Sequence, residues 1–187
     1  MARLQYGVIH TENVRATKGM GGRVYSIVAD QDLQNGMLVT VGEITEPQTD
    51  ARAIATTVVG DLGKGRICVV ATPELNYEEN SVLDKALVHF YIPSGELADA
   101  VPLETGDELA ISDNMIQLDV AVSTIEDAKY LTLGTDRKWK AVATKPESGI
   151  VCKVQKIKNA TKKVYYGNTG TLIGLDYKLV KFSVETI

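Results

Sequence analysis

The sequence predicts a mainly β protein, built as an antiparallel sandwich or barrel of short strands with at most one or two short helices. Three observations predict this class. Roughly nine or ten segments are continuously apolar or alternate in polarity, turn-forming residues separate them about every 8–12 residues, and few stretches have helical periodicity. The chain of 187 residues is long enough to bury a sizeable core.

The domain organisation follows from the first glycine-rich stretch. Residues 1–19 have weak periodicity and run into "TKGMGGR", so we expect an extended N-terminal arm. Residues 20–187 are expected to form a single β-rich domain. A smaller lysine-rich lobe at 137–187 is an alternative division of the same region.

The first half of this domain contains four predicted strands and one ambiguous segment. The strands are "GRVYSIVA", "GMLVTVGEI", "RAIATTVVG" and "RICVVA". The ambiguous segment, "SVLDKALVHFYI", is interpreted as a helical turn that feeds a strand ending at Pro93.

The second half begins with predicted hairpins in "VPLETGDELAISDNMIQL", with turns at "ETGD" and "DN". One short helix is expected in "STIEDAKYL", where Ser123 and Glu126 have capping-box spacing. Further strands are "KWKAVATK", "GIVCKVQKIKN" and "TLIGLDYKLVKFSVETI". The last is regular enough that we expect it to close a sheet or barrel by pairing with an early strand.

Several classes of protein are disfavoured by the totals. No segment approaches the 18 or so apolar residues of a membrane span, and "MARLQYGVIHTENV" does not have the pattern of a secretory signal. Cys68 and Cys152 are too few for a disulfide framework, and both lie in apolar runs. We expect them to be small buried hydrophobic residues, although the sequence leaves open whether they pair.

The charge is strongly asymmetric along the chain. Residues 1–136 carry 9 Lys+Arg and 21 Asp+Glu, giving −12, whereas residues 137–187 carry 11 and 3, giving +8; the sum is the formal net charge of −4. Opposite charges of this size favour attraction between the two parts of one subunit, or between neighbours in an assembly.

A lysine-rich stretch in the basic part raises nucleic acid as a partner. It includes tyrosines beyond the lysines, a mixture that single-strand binders use. Against direct nucleic-acid binding, the chain has no Arg after Arg137 and a pI near 5.3. A lysine-protected sheet edge, or a basic face that docks on an acidic neighbour, explains the same residues. The residues are Lys153, Lys156, Lys158, Lys162, Lys163, Tyr165 and Tyr166.

The acidic segment "TPELNYEEN" is the strongest candidate for carboxylate chemistry. Glu78 and Glu79 are adjacent, so they would point to opposite faces of a strand or into solvent from a loop. We interpret it as a solvated loop in which Leu75 and Tyr77 could anchor a partner. His10 and His89 have no Cys or second His at metal-ligand spacing.

Other motifs of catalysis are also missing from the sequence. No G-x-S-x-G elbow occurs, and the glycine clusters "KGMGGR" and "GDLGKGR" do not fit a phosphate-binding loop. We therefore predict no catalytic, cofactor-binding or metal-binding residue.

Three stretches, "NGMLVTVGEI", "RICVVATPELNYEE" and "GDELAISDNMI", form a pattern that covers about residues 20–120. Together they resemble the capsid decoration, or head-stabilising, proteins of tailed bacteriophages. The resemblance implies a non-enzymatic structural protein of the virion, made in the host cytoplasm, that binds the major capsid protein. It also implies a homo-oligomer, with a trimer favoured.

Expected contact residues follow from this resemblance and from the predicted arm. In the arm and in the acidic loop they are Leu4, Tyr6, Val8, Ile9, Leu75, Tyr77, Glu78 and Glu79. Two alternatives remain open. One is a phage tail or adhesion module, and the other is a glycan-acting enzyme with carboxylates among Glu74, Glu78, Asp107 and Asp113.

Overall fold

The computed structural model describes residues 2–14, 16, 23–46, 51–54, 65–74, 90–166 and 171–187. It confirms the mainly β class. The described chain forms a closed five-stranded barrel and an eight-stranded sheet, with two short 3₁₀ helices. The strands are β1 (Ala2–Arg3), β2 (Ile9–Asn13), β3 (Tyr25–Val28), β4 (Leu38–Glu46), β5 (Ala51–Ile54), β6 (Arg66–Val70), β7 (Leu97–Pro102), β8 (Glu108–Ser112), β9 (Ile116–Leu118), β10 (Tyr130–Leu133), β11 (Trp139–Val142), β12 (Val151–Tyr166) and β13 (Thr171–Thr186).

The barrel contains the first four strands that the sequence predicted. Its order is β3-β5-β4-β6-β7, and the antiparallel pairing of β7 with β3 closes it. The apolar run of β6 suits this position, because Cys68, Val69 and Val70 are all fully buried between β4 and β7.

The large sheet has the order β2-β8-β13-β12-β10-β11-β9, with β1 added alongside β13. Its centre is a hairpin of two 16-residue strands, β12 and β13, whose register runs from Val151↔Thr186 to Tyr166↔Thr171. The strands of 137–187 are thus part of a sheet that also contains β1, β2 and β8, rather than a separate lobe. The parallel pairing of β13 with β1 fulfils the expectation that the last strand joins an early one.

Trp139 joins the sheet to the barrel. It is fully buried, its ring centroid lies 4.8 Å from that of Phe182 on β13, and its Nε1–H donates to the Gly36 carbonyl at 2.8 Å. The backbone N–H of Leu38 donates to the Arg137 carbonyl at 2.8 Å. The two β units therefore share one packed core.

The predicted hairpin pairing of residues 101–118 is wrong, although its strands and turns exist. β7 lies in the barrel, β8 pairs with β13 and β2, and β9 pairs in parallel with β11. The "ETGD" turn is a crossing point between the two units: Asp107 accepts a hydrogen bond from the Glu104 N–H at 2.7 Å, and Gly106 has φ of 92°.

The N-terminal segment differs from the extended arm that we expected. β1 and β2 pair with β13 and β8, and Leu4, Tyr6 and Val8 are buried in the chain's own core. A Cβ at Gly7 would lie 1.9 Å from the Asn35 carbonyl oxygen, so the backbone is pressed against the barrel. The described part of this segment is an integral part of the fold, because its apolar side chains find partners there.

Two smaller expectations were also decided. The short helix is 3₁₀ at Ile125–Asp127, and its capping box is Thr124 with Asp127, one residue later than predicted. Cys68 and Cys152 are both buried and unpaired, as small hydrophobic residues would be.

Candidate protein-binding surface

Most of one side of β12 has no strand partner among the described residues. β10 pairs only with its base, through Tyr130↔Lys153 and Leu131↔Cys152, and the Val154 N–H still donates to the Lys129 carbonyl at 2.9 Å. From 155 to 166, β13 is the only described strand that pairs with β12. We call residues 155–166 the free edge. Such an edge presents backbone N–H and C=O groups to another chain.

Four lysines on β12 carry charge that the described structure does not neutralise. Other lysines of this hairpin have carboxylate partners: Lys162 contacts Glu74, Lys178 contacts Glu126, and Lys181 lies 2.7 Å from Glu108. The lysines of β12 without an ion pair to any described residue are Lys153, Lys156, Lys158 and Lys163.

Two of these lysines lie on a face that concentrates positive charge. Lys156 is directly opposite Lys181 across the strand pair, an arrangement that is destabilising for like charges, and Lys158 follows on the same face. A concavity of about 370 Å³ lies among Lys156, Lys158, Lys181, His10 and Glu108. We call this surface the basic face.

The basic face contains one carboxylate that is already engaged. Glu108 bonds Lys181 through one oxygen and accepts a hydrogen bond from the Gln155 side chain at 2.8 Å through the other. Lys156 and Lys158 therefore remain available to an anionic partner.

A second concavity lies on the opposite face of the hairpin. It has a volume of about 780 Å³ and runs from the middle of β12, at Asn159–Thr161, to the apolar side chains of Ile116, Leu118 and Ile125, of which only Leu118 is well exposed. Most of the other lining side chains are polar or charged, Thr124 and Asp176 among them. We call it the apolar groove. Leu118 is 46% exposed, so its side chain is available for contact.

Ion pairs line the rim of the apolar groove. Arg3 lies 2.7 Å from Asp113, and Lys178 contacts Glu126. Beside Glu126, Lys178 holds the pKa of that carboxyl below its usual value. An apolar floor with a polar rim is typical of a surface that accepts a peptide.

The hairpin is held against the barrel side of the molecule by a cluster around Tyr6. Lys162 contacts Glu74, and its Nζ lies 5.0 Å from the centre of the Tyr6 ring. The Tyr6 hydroxyl donates to Glu74 at 3.4 Å, and the ring packs edge-on against Phe90. This cluster fixes the position of β12 relative to the loop after β6.

Burial perturbs the titration of this cluster. It raises the pKa of Tyr6 to about 12 and lowers the pKa of Lys162 to about 8, while the Glu74 carboxylate favours the charged lysine. The network of polar contacts gives these groups a structural role that the sequence did not indicate.

The predicted contact residues do not form one exposed surface in the described structure. Leu4, Tyr6 and Val8 are buried, and Ile9 is half-buried beside a cavity of about 720 Å³ that also borders Lys162. The remaining four lie outside the described residues: Leu75, Tyr77, Glu78 and Glu79. Sequence reasoning noted the lysines and offered a lysine-protected sheet edge as one explanation, but it could not locate that edge on β12, because strand pairing is not visible in a single sequence.

The carboxylates of the enzyme alternative do not converge where they are described. Glu74 contacts Lys162, Asp113 is paired with Arg3 in the apolar groove, and Asp107 is fully buried at the turn between the two units. Glu78 and His89 lie outside the described residues. Over the described ranges, no three His, Cys, Asp or Glu side chains are grouped to hold a metal ion, and no helix has the length and apolarity to cross a membrane.

Comparisons of the chain with protein-family models, with curated proteins and with solved structures found no match.

Proposed function

We propose that this chain is a non-enzymatic structural protein of a bacteriophage virion that binds the major capsid protein and stabilises the head. The observation that carries the proposal is the free edge of β12 with its unneutralised lysines, a surface suited to binding another protein. The sequence stretches that resemble capsid decoration proteins point in the same direction.

The mechanism that we propose is multivalent docking on a repeating surface. Each contact needs only modest affinity, because neighbouring copies on a lattice, or copies within one oligomer, raise the effective concentration of the next contact. The proposal includes a closed homo-oligomer, with a trimer favoured because three-fold points recur on a capsid. Packed DNA pushes a shell outward, so proteins bound across subunit joints would resist that pressure.

Electrostatics gives the proposal a measurable property. Exposed lysines attract an acidic partner over about 8 Å at physiological salt, and added salt screens this attraction. Binding to heads should therefore weaken as the salt concentration rises.

The test is co-sedimentation with empty heads assembled from the major capsid protein of the same phage. The wild-type chain should sediment with heads to a fixed ratio at saturation. The double variant Lys156→Glu/Lys158→Glu should bind about tenfold more weakly. The double variant Lys138→Glu/Lys145→Glu changes the net charge equally, away from the free edge, and should bind normally.

Two outcomes oppose the proposal. Failure of the wild-type chain to sediment with heads at low salt would contradict it. Sedimentation with isolated tails and not with heads would favour the tail or adhesion alternative.

A further inference from the structure

We propose that the free edge of β12 is an acceptor for an extended segment of the partner, in which carboxylate side chains alternate with apolar ones. This inference rests on the proposed function for the identity of the partner as the major capsid protein. The chemistry of the segment comes from the edge itself.

The chain would accept a strand rather than donate one, because its own N-terminal segment is already packed into the fold. β1 and β2 pair with β13 and β8, and the side chains of Leu4, Tyr6 and Val8 fill the core between them. Donating this segment to another protein would expose those side chains to water. The free edge offers the opposite arrangement, since no described strand other than β13 pairs with β12 from 155 to 166, and an incoming strand would displace none of the described elements there.

The two faces of β12 require different side chains from the incoming strand. On one face it would meet Lys156 and Lys158 of the basic face, which lack an ion pair within the described structure. On the other face, near Asn159–Thr161, it would meet the apolar groove with Ile116, Leu118 and Ile125. Successive side chains of a strand point to opposite faces, so acidic and apolar residues must alternate.

The lysines also select against a second copy of the same edge. Two free edges placed side by side would bring Lys156 and Lys158 of one copy close to the lysines of the other, and like charges on adjacent strands are destabilising. An acidic strand would place carboxylates beside Lys156 and Lys158 instead of adding further positive charge. Charge complementarity therefore favours an acidic segment over this chain's own hairpin.

The test uses a fluorescent synthetic peptide of about ten residues in which Glu and Val alternate, with binding followed by anisotropy at low salt. The wild-type chain should bind this peptide. It should bind more weakly to a peptide of the same composition with all Glu before all Val, and to an alternating Lys–Val peptide. The variant Lys156→Glu/Lys158→Glu should lose about tenfold in affinity, and Lys138→Glu/Lys145→Glu should not.

Backbone pairing is tested by N-methylation. Only alternate N–H groups of an added strand face β12, so methylating one alternate set of peptide nitrogens should abolish binding, and methylating the other set should not. Amide exchange at 155–166 should slow in the complex. Equal binding of the two methylated peptides would overturn strand addition. So would equal binding of the alternating peptide and of the peptide with all Glu before all Val. Tighter binding of a single-stranded DNA oligonucleotide of equal charge would overturn the acidic peptide as the ligand.

The outcomes separate this inference from the proposed function. A chain that sediments with heads but binds no peptide refutes the acceptor edge and leaves head binding in place. A chain that binds the peptide by strand addition but ignores heads refutes the capsid partner and supports the acceptor edge.

Discussion

At the residue scale, the two β units are joined by an ion pair between Asp30 and Arg137. Only 7% of the Arg137 side chain is exposed. Its guanidinium donates one hydrogen bond to each carboxylate oxygen of Asp30, both at 2.6 Å. Arg137 and Asp136 both have positive φ, at 60° and 52°, so the turn before β11 is held in an uncommon backbone conformation. Because the Arg137 cation is buried, removal of its Asp30 carboxylate should destabilise the fold.

We expect Asp30→Ala to lower the free energy of unfolding by about 2 kcal/mol, because the buried guanidinium loses its bidentate carboxylate. Glu104→Ala breaks an exposed pair with Arg66 and should cost less than about 1 kcal/mol. Urea unfolding of both variants checks the difference. Equal losses would show that the Asp30 pair does not join the two units.

The same pair sets a dependence on pH. Hydrogen bonding to Arg137 holds the pKa of Asp30 below 3.8, so the folded state favours the ionised carboxylate. Its contribution is present above the usual pKa and is lost as the pH falls through the folded-state pKa. The stability difference between wild type and Asp30→Ala should therefore shrink as the pH falls below 3.8.

The cysteines provide a second prediction at this scale. Burial raises the pKa of Cys68 to about 12 and also raises the pKa of Cys152. A thiol-reactive disulfide reagent at pH 8 should label neither cysteine in the folded protein and both in denaturant, because the thiolate is the reacting form. Rapid labelling of the folded protein would contradict the buried positions.

The raised thiol pKa values also affect stability. Since the folded state keeps both thiols protonated, the free energy of unfolding should fall as the pH rises above about 9, where the thiols of the unfolded chain ionise.

At the scale of elements, the N-terminal segment decides between an arm and a packed strand. Gly7→Ala would force a methyl group to within 1.9 Å of the Asn35 carbonyl oxygen and 2.9 Å of Met115. We expect a loss of about 3 kcal/mol or more in unfolding free energy, against less than about 0.5 kcal/mol for the exposed Gln5→Ala. A neutral effect of Gly7→Ala would restore the extended arm.

The elements also show which information the sequence contains. The strands of the barrel were predictable because their apolar runs are local, and β13 was predictable from its alternation. Leu4, Tyr6 and Val8 are apolar at every second position, which could have indicated a packed segment, although residues 4–8 lie between β1 and β2 and are not themselves a strand. The exchange of partners at the Glu104–Asp107 turn could not have been predicted, because turn-forming residues do not reveal that the next strand, β8, pairs with the distant β13.

The candidate site was predictable only in composition. Lys156 and Lys158 are visible as part of a basic stretch, and a lysine-protected sheet edge was one of the expected explanations. Their exposure to a partner depends on β10 ending its pairing with β12 at Lys153, which is a long-range property of the sheet. The apolar groove also joins residues that are distant in sequence, Ile116 and Asn159 among them.

At the scale of the whole molecule, the β12–β13 hairpin contains much of the positive charge of an acidic chain, including the lysines of its free edge. This asymmetry favours oriented attachment, because an acidic lattice would attract the hairpin and repel the acidic segments. The shared core around Trp139 keeps the barrel fixed relative to the hairpin, so the orientation of the hairpin would be passed to the entire subunit.

The most direct test of this account is cryo-electron microscopy of heads incubated with an excess of the purified chain. We predict added density at equivalent positions over the capsid lattice, with the β12–β13 hairpin nearest to the shell and an extra strand along residues 155–166. Heads without added density, or density in which the barrel faces the shell and the free edge points to solvent, would contradict it.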